Sequence, residues 1–354
     1  MDSEHGRLTY SADELLSDGA YAAPLLAGGV LCHGGFDPDG HYRSPRTLHR
    51  DPAVRAWQQR LRSEGHPLIE LPEQLIPPQY PSVAQAKLLL KAGVREPVVR
   101  SLTVIAILEG FGAIIRDVRV PDLKSYFVEP IDGTALAHLG SGLFEAHARD
   151  EAGYKDQGGH KQMWEAARDL ALDNPQIPSD VFLRLMGDRG QARAANPIFP
   201  ELDKKLYRML SMMAQVLVIE VFAKRTFDWG EALLSDPEIS AEPARAGDMV
   251  RYIRSDESPH VEYLRAALSE ARALTLRTEQ NGTLSGAVVV DGLLHHVLKR
   301  MVQNRPREQR DDTRGSLVHA LEAGQVRGSL LEEFDALEPS WTPPERTGFE
   351  AAAA

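Results

Sequence analysis

Residues 104–115 read VIAILEGFGAII, and residues 216–223 read VLVIEVFA. Each stretch is an apolar run with one carboxylate inside it, Glu109 in the first and Glu220 in the second. A helix that is apolar on all sides is a buried helix. A lone carboxylate inside such a helix needs a compensating partner to stay ionised. The two runs therefore predict two core helices whose acids face a cation.

The two halves of the chain agree beyond these runs. A Phe follows each Glu by two residues, and an Asp follows it by eight. Each half then carries an Asp-Glu pair in its next predicted helix, namely Asp150-Glu151 and Asp256-Glu257. His260 follows Glu257 by three residues. A buried acid taken singly could pair with an arginine. The repeated pattern instead favours a carboxylate-bridged pair of metal ions.

Composition and net charge limit which partners, metal sites and cellular compartments are to be expected. The chain has 354 residues, 43% of them hydrophobic, with a formal net charge of -11 and one cysteine, Cys32. The acidic balance argues against nucleic acid or an anionic membrane as a partner. One cysteine excludes a disulfide framework and a thiolate-rich metal site, and it fits a reducing compartment. No apolar run approaches the roughly 20 residues needed to span a bilayer. We expect a soluble cytoplasmic protein.

The helical period divides the chain into three regions. Residues 1–80 are an irregular N-terminal arm or cap, in which FDPDGHY (36–42) predicts a small hairpin. Residues 81–275 predict four long helical segments, the second of them continuous over about 134–155. Residues 276–354 predict a C-terminal helical extension and a Pro-rich tail, with NRPREQRDD (304–312) as a charged linker. The fold class is mainly α.

Helical spacing shows which polar residues share the inner face. On the fourth helix, Glu257 and His260 fall within the apolar stripe. On the second helix, His147, Asp150 and Tyr154 lie on the stripe and Glu151 lies beside it, whereas His138 and Glu145 fall on the opposite face. Glu and His three residues apart on one face can both reach one metal centre.

With Glu109, Asp150-Glu151, Glu220 and Asp256-Glu257-x-x-His260, the chain resembles the ferritin-like di-iron carboxylate oxidases and oxygenases. This group includes the ribonucleotide reductase small subunit, bacterial hydroxylases and arylamine N-oxygenases. The resemblance covers about residues 98–273. It implies a four-helix bundle in which two helices give one Glu each and the other two a Glu-x-x-His pair. It also implies two iron ions, or manganese, with O2 as co-substrate.

The resemblance implies a role for each candidate residue. Glu151 and Glu257 bridge the metals and are the catalytic carboxylates, and Glu109 and Glu220 are terminal ligands. His260 gives one nitrogen. Asp150 and Asp256 can each hold a ligating histidine through its second ring nitrogen.

One position departs from the family pattern, because Tyr154 stands where a histidine is expected. His147 is the first substitute, since it lies one turn before Glu151 on the same face. His160 is the second, if the DQGG segment (156–159) folds the chain back. Tyr154 itself, as a phenolate ligand or redox-active neighbour, is the third.

The activity to be expected is hydroxylation, N-oxygenation or desaturation of a small organic substrate, with electrons from the substrate or from a reductase. A mixed Mn/Fe site and a mononuclear site remain alternatives, and so does a non-catalytic helical scaffold that binds a partner through its N-terminal arm. The sequence is also compatible with a homodimer. The remaining histidines that we considered are interpreted as core or solvated side chains: His33, His41, His295 and His296.

Overall fold

The computed structural model describes residues 7–182, 197–303, 305–322 and 328–349. This part of the chain is mainly helical, as the sequence predicts. Its α-helices are α1 (Ala12–Leu15), α2 (Arg50–Ser63), α3 (Val83–Lys91), α4 (Glu96–Gly112), α5 (Ala135–His138), α6 (Phe144–Ala152), α7 (His160–Leu172), α8 (Lys204–Leu234), α9 (Pro243–Ala273), α10 (Gly286–Gln303), α11 (Arg305–Glu322) and α12 (Leu330–Ala336).

Short strands form two small sheets. The strands are β1 (Ala23–Ala27), β2 (Val30–Phe36), β3 (Tyr42–Arg43), β4 (Thr275–Arg277) and β5 (Thr283–Ser285). In the N-terminal arm, β2 pairs antiparallel with both β1 and β3. Asp37 and His41 close the turn between β2 and β3, where the Asp37 amide donates to the His41 carbonyl at 3.0 Å. The predicted hairpin therefore lies at the FDPDGHY stretch.

Five helices surround the polar centre of the molecule. α8 packs along α9, α7 packs against both α4 and α9, and α6 packs against α4. Local chemistry begins these helices. Asp203 caps α8 by accepting from the Lys205 and Leu206 amides, and Pro97 occupies the first turn of α4, where its missing N–H costs nothing. α10 then packs on α8 and α9.

The second of the predicted helices is interrupted. A π-helical turn over Leu139–Leu143 separates α5 from α6, with Gly142 at φ 134° and Ser141 also outside helical geometry. A Cβ at Gly142 would lie 2.9 Å from the Cβ of Leu15, so α1 packs where a side chain would otherwise stand. α6 ends at Ala152, followed by Gly153 at φ 83°. The prediction of one continuous helix to Lys155 was therefore wrong.

The charged stretch at 304–312 also differs from its prediction. From Arg305 to Glu322 it is the helix α11, whereas the sequence predicts a linker. Its repeated charges follow the solvated face of a helix. The Gly/Pro-rich excursion between the two halves lies partly outside the described residues, at 183–196.

The core is split by a polar layer. One hydrophobic cluster contains buried residues of α8 up to Phe222 and of α9 from Tyr263 onward. The other takes α8 from Phe227 onward and α9 up to Ile253. Between the clusters, α9 carries buried Asp256, Glu257 and His260, and α8 carries Glu220 close by. Both long helices thus turn their polar residues inward at the same level.

Two helical stretches are long and apolar enough to cross a membrane by length and composition. They are Glu96–Asp117 and α8, whose most apolar windows are 39% and 50% buried. The expectation that no apolar run reaches such a length was therefore wrong. Core helices of soluble proteins meet the same criteria, and each of these stretches carries one of the site carboxylates.

Candidate metal centre

Carboxylates and histidines from five helices converge at the polar layer. The histidines are completely buried, and the side chains of the carboxylates are at most 13% exposed. The residues are Glu109 of α4, His147 and Glu151 of α6, His160 of α7, Glu220 of α8, and Glu257 and His260 of α9. All residues that the sequence assigns as metal ligands are thus in one place.

One half of the centre, the His260 group, contains His147, Glu151, Glu220, Glu257 and His260. His260 Nδ1 lies 2.8 Å from Glu257 Oε2 and 3.3 Å from Glu151 Oε1. His147 Nε2 lies 3.5 Å from Glu151 Oε1 and 3.5 Å from Glu220 Oε1. Ligand atoms of His147, Glu151, Glu220 and His260 lie within 4.8 Å of one another. This half could hold a metal ion with two nitrogen ligands.

The other half, the His160 group, contains Glu109, Glu151, His160 and Glu257. His160 Nδ1 lies 2.9 Å from Glu257 Oε1, 3.5 Å from Glu151 Oε2 and 3.6 Å from Glu109 Oε2. This half has one imidazole and three carboxylates, and it too could hold a metal ion. Carboxylate and imidazole donors suit iron, manganese and zinc.

Glu151 and Glu257 belong to both groups. Glu151 turns Oε1 to the His260 group and Oε2 to the His160 group. Glu257 turns Oε2 to His260 and Oε1 to His160. Each carboxylate therefore offers one oxygen to each half, which is the arrangement that a bridging ligand needs.

Several polar atoms of the centre lack a hydrogen-bond partner. Within the described residues, these buried atoms include His147 Nε2, Glu151 Oε2, His160 Nδ1 and Glu257 Oε1. Buried polar groups in folded proteins are nearly always satisfied, and an orphaned one needs an explanation. The four atoms belong to the two groups of candidate ligands, so cations bound in these groups would satisfy them. The donor set thus fits a pair of metal ions.

Gly112 makes room for one of the shared carboxylates. A Cβ at this position of α4 would lie 2.5 Å from Cγ and 2.7 Å from Cδ of Glu151. Any larger side chain would push Glu151 away from both groups.

Two aspartates lie behind the outer nitrogens of His160 and His260, each from the other half of the chain. Asp150 Oδ2 lies 3.0 Å from His260 Nε2, and Asp256 Oδ2 lies 3.5 Å from His160 Nε2. Each contact leaves Nδ1 of the same ring turned to the shared carboxylates. Such partners fix the tautomer and aim of a metal-binding histidine.

Electrostatics show an excess of negative charge. Burial, and then the charge of Glu257, raise the pKa of Glu109 and of Glu220 well above its ordinary value. Burial disfavours the charged form of Glu257 as well, but His160 and His260 hold its pKa well below the usual range. Crowded carboxylates that raise one another's pKa are stabilised by added positive charge. Cations at the centre would supply that charge.

The chain folds back at the DQGG segment to place His160. Gln157 and Tyr154 exchange backbone hydrogen bonds of 3.0 and 3.1 Å, and His160 then begins α7. Tyr154 lies after the end of α6, with the Arg149 guanidinium 3.7 Å from its ring centroid. The structure therefore brings both His147 and His160 into the centre and leaves Tyr154 outside it. The reason is Gly153, which ends the helix before Tyr154 can share its inner face.

The arm supplies residues that the sequence does not identify. The guanidiniums of Arg46 and Arg50 form buried ion pairs with the two oxygens of Asp150. Although burial raises the pKa of Asp150, these two cations hold it well below its ordinary value. His33, interpreted from the sequence as a core or solvated side chain, lies 3.0 Å from Asp256 Oδ2. Because these contacts span 100 residues or more, no spacing pattern could reveal them.

The other acids and histidines lie elsewhere. His138 contacts the Thr134 carbonyl at 2.6 Å and the Tyr10 amide at 3.1 Å, and Glu145 pairs with Arg149. His41 is exposed beside Asp37, and His295 contacts Thr347.

Comparisons with protein-family models, with curated proteins and with solved structures found no match for this chain.

Proposed function

We propose that this protein is a ferritin-like dinuclear metal enzyme that uses O2 to oxidise a small organic substrate, with iron as its metal. One observation carries the proposal: Glu151 and Glu257 each turn one oxygen to the His160 group and the other to the His260 group. Two shared carboxylates between two donor sets are what a carboxylate-bridged metal pair requires.

Each residue has a place in this proposal. Glu109 and His160 are the ligands of one metal alone, and Glu220, His147 and His260 are the ligands of the other. When bound, the iron pair would supply the electrons that reduce O2 and the oxidising power that acts on the substrate. The protein positions the metals, keeps the site dry and orients the substrate.

The most exposed of the candidate ligands lie on α4 and α8. The side chain of Glu109 is 13% exposed and that of Glu220 is 8% exposed, whereas Glu151 is 2% exposed and both aspartates are fully buried. A small substrate and O2 would therefore approach from the side of α4 and α8. The apolar residues beside both glutamates favour a substrate with an apolar part.

The two halves of the centre are unequal, and this favours a second candidate. The His260 group has two imidazoles, and the His160 group has one. A site with unequal nitrogen donors can take two different metals, for example manganese beside iron.

The proposed reaction also requires an electron donor. In a cytoplasmic enzyme of this class the donor would be either a reductase or the substrate itself.

The test compares the iron-loaded protein with a pair of matched variants. Glu257→Gln keeps the shape of a shared ligand but removes its charge, and Glu262→Gln makes the same change five residues on, outside the centre. The proposal expects the wild type and Glu262→Gln to consume O2 faster than free ferrous iron does, and Glu257→Gln to lose this activity and its metal.

Two results would contradict the proposal. If the loaded wild type takes up O2 no faster than free iron, the centre does not activate O2. If the folded protein binds no metal at all, the buried acids serve a helical scaffold, which would then be the better account.

A further inference from the structure

The N-terminal arm is attached to the segment that presents His160. The amide of His33 donates to the carbonyl of Gly158 at 3.0 Å, and the amide of Gly158 donates to the carbonyl of Leu31 at 2.7 Å. Gly158 lies two residues before His160. Strand β2 thus fixes the backbone of the turn from which the histidine enters the centre.

Side chains of the arm also reach the carboxylate behind His160. The Tyr42 hydroxyl donates to Asp256 Oδ2 at 2.7 Å, and His33 Nε2 lies 3.0 Å from the same oxygen. That oxygen in turn lies 3.5 Å from His160 Nε2. The rings of His33 and His160 are also close, with centroids 5.1 Å apart. One oxygen of Asp256 therefore joins the arm to the histidine.

The arm is shaped to allow this contact. Gly34, at φ 74°, lies under the Tyr42 ring, and a Cβ there would come within 2.8 Å of Tyr42 Cζ. A side chain at residue 34 would displace the phenol from Asp256. Tyr252 of α9 stacks on the other face of Tyr42, with centroids 4.4 Å apart, and so fixes the plane of the ring.

The N-terminal arm contacts the two aspartates through different chemical groups. Asp150, behind His260, is neutralised by two guanidiniums, from Arg46 and Arg50. Asp256, behind His160, is held by a phenol and an imidazole. The Asp256 contact can therefore be weakened by removing a single neutral hydroxyl, without removing a counter-charge.

We propose that Tyr42 and His33 are positioning residues of the metal centre, which act through Asp256 on His160 and so set how tightly the His160 group binds its metal. This inference rests on the proposed function, because it takes the centre to be a metal site. Outer partners of metal-binding histidines typically change metal affinity by about 10- to 100-fold when they are removed. Tyr42 acts on His160 one contact further out, through Asp256, so for Tyr42→Phe we expect a loss at the lower end of that range, about 10-fold, confined to one of the two metals.

The experiment isolates each half of the centre before it tests the arm. The probe is ferrous iron alone, titrated anaerobically with a chelator that fixes the free metal concentration. His147→Ala weakens the His260 group and reports on the metal of the His160 group, and His160→Ala does the reverse. Tyr42→Phe is then added to each background. The matched control is Tyr252→Phe, which removes the same hydroxyl from the stacked ring and keeps the contact between Tyr42 and Asp256.

The expected result is selective. Tyr42→Phe should lower the affinity about 10-fold in the His147→Ala background and leave it unchanged in the His160→Ala background. Tyr252→Phe should change neither.

Other outcomes separate the two proposals. Equal affinity with and without the Tyr42 hydroxyl in the His147→Ala background would overturn the positioning role. An equal loss in both backgrounds would also overturn it, because a loosened arm would then affect the whole centre. If the wild type binds no iron, the proposed function itself fails.

Discussion

Asp150 on α6 lies 3.0 Å from Nε2 of His260 on α9. Asp256 of α9 in turn lies behind His160 of α7. Each of these two histidines therefore has an aspartate from the opposite half of the chain behind it. This exchange ties the two halves together at the centre. A change behind one histidine should therefore act on one metal without removing the other.

The two substitutes for the missing histidine should hold different metals. His147→Ala removes a nitrogen from the His260 group, and His160→Ala removes the only nitrogen of the His160 group. We expect iron content to fall from about two toward one per chain in either variant, and metal binding to be lost when both changes are combined. Elemental analysis of the purified, iron-loaded variants measures this. Full occupancy in His160→Ala would remove His160 from the ligand set.

Gly112→Ala should disturb the centre through Glu151. The added methyl group would lie within 2.7 Å of two carbons of Glu151, so the carboxylate must move. We expect weaker metal binding and a loss of stability of about 1–3 kcal/mol, as for overpacking. Metal titration and urea unfolding measure both quantities.

Gly315→Ala is the control for this change. It lies in helix α11, where a Cβ would meet nothing within 4 Å. It should leave metal binding unchanged and should raise helix stability slightly, because alanine favours a helix. Normal metal affinity in Gly112→Ala would show that Glu151 has room to adjust.

Arg50→Met should destabilise the metal-free protein. Asp150 and Arg50 are both completely buried, so the change leaves a buried carboxylate with one guanidinium, that of Arg46, beside the imidazole of His260. We expect a loss of about 3 kcal/mol in the free energy of unfolding. Asp150→Asn combined with Arg50→Met should cost less than the sum of the single changes, because either single change already removes the ion pair between these two side chains. Additive losses in urea unfolding would contradict the ion pair's role.

Glu270 should make stability depend on pH. Its two carboxylate oxygens accept from the Ala135 and Leu136 amides at the start of α5, and burial raises its pKa from 4.5 to about 7. The folded state therefore binds the proton more tightly than the unfolded state. The resulting stability is complete below pH 4.5 and is lost as pH rises through 7. The size of the effect is about 2–3 kcal/mol.

Glu270→Gln tests this sign, because glutamine does not titrate in this range. Urea unfolding of the metal-free wild type and variant from pH 4.5 to 8 gives the difference between them. That difference should shift in favour of the variant as pH rises. A shift in favour of the wild type would mean that the two amide hydrogen bonds outweigh the cost of burial.

Site residues could be predicted from the sequence where the pattern that identifies them lies within one helix. Glu109 and Glu220 stand out because an acid inside an apolar run is costly unless it is compensated. Glu257 and His260 stand out because their spacing places both on one face. The structure brings all four together, although only the mainly helical class of the fold is established by it.

The remaining features depend on distant segments. Gly142 and Gly153 break the second helix through positive φ angles, and a helical pattern alone does not specify them. The contacts of His33, Arg46 and Arg50 join the arm to residues 100 or more positions away. Such contacts follow from the packing of the arm and have no local spacing.

The most direct test of the account is the metal content of the wild-type protein after anaerobic loading with ferrous iron and removal of unbound metal. We expect about two iron ions per chain, as the two donor groups with their shared carboxylates require. A well-folded protein that retains no metal would contradict it, and the buried carboxylates would then be held by protons and by the two guanidiniums of the arm.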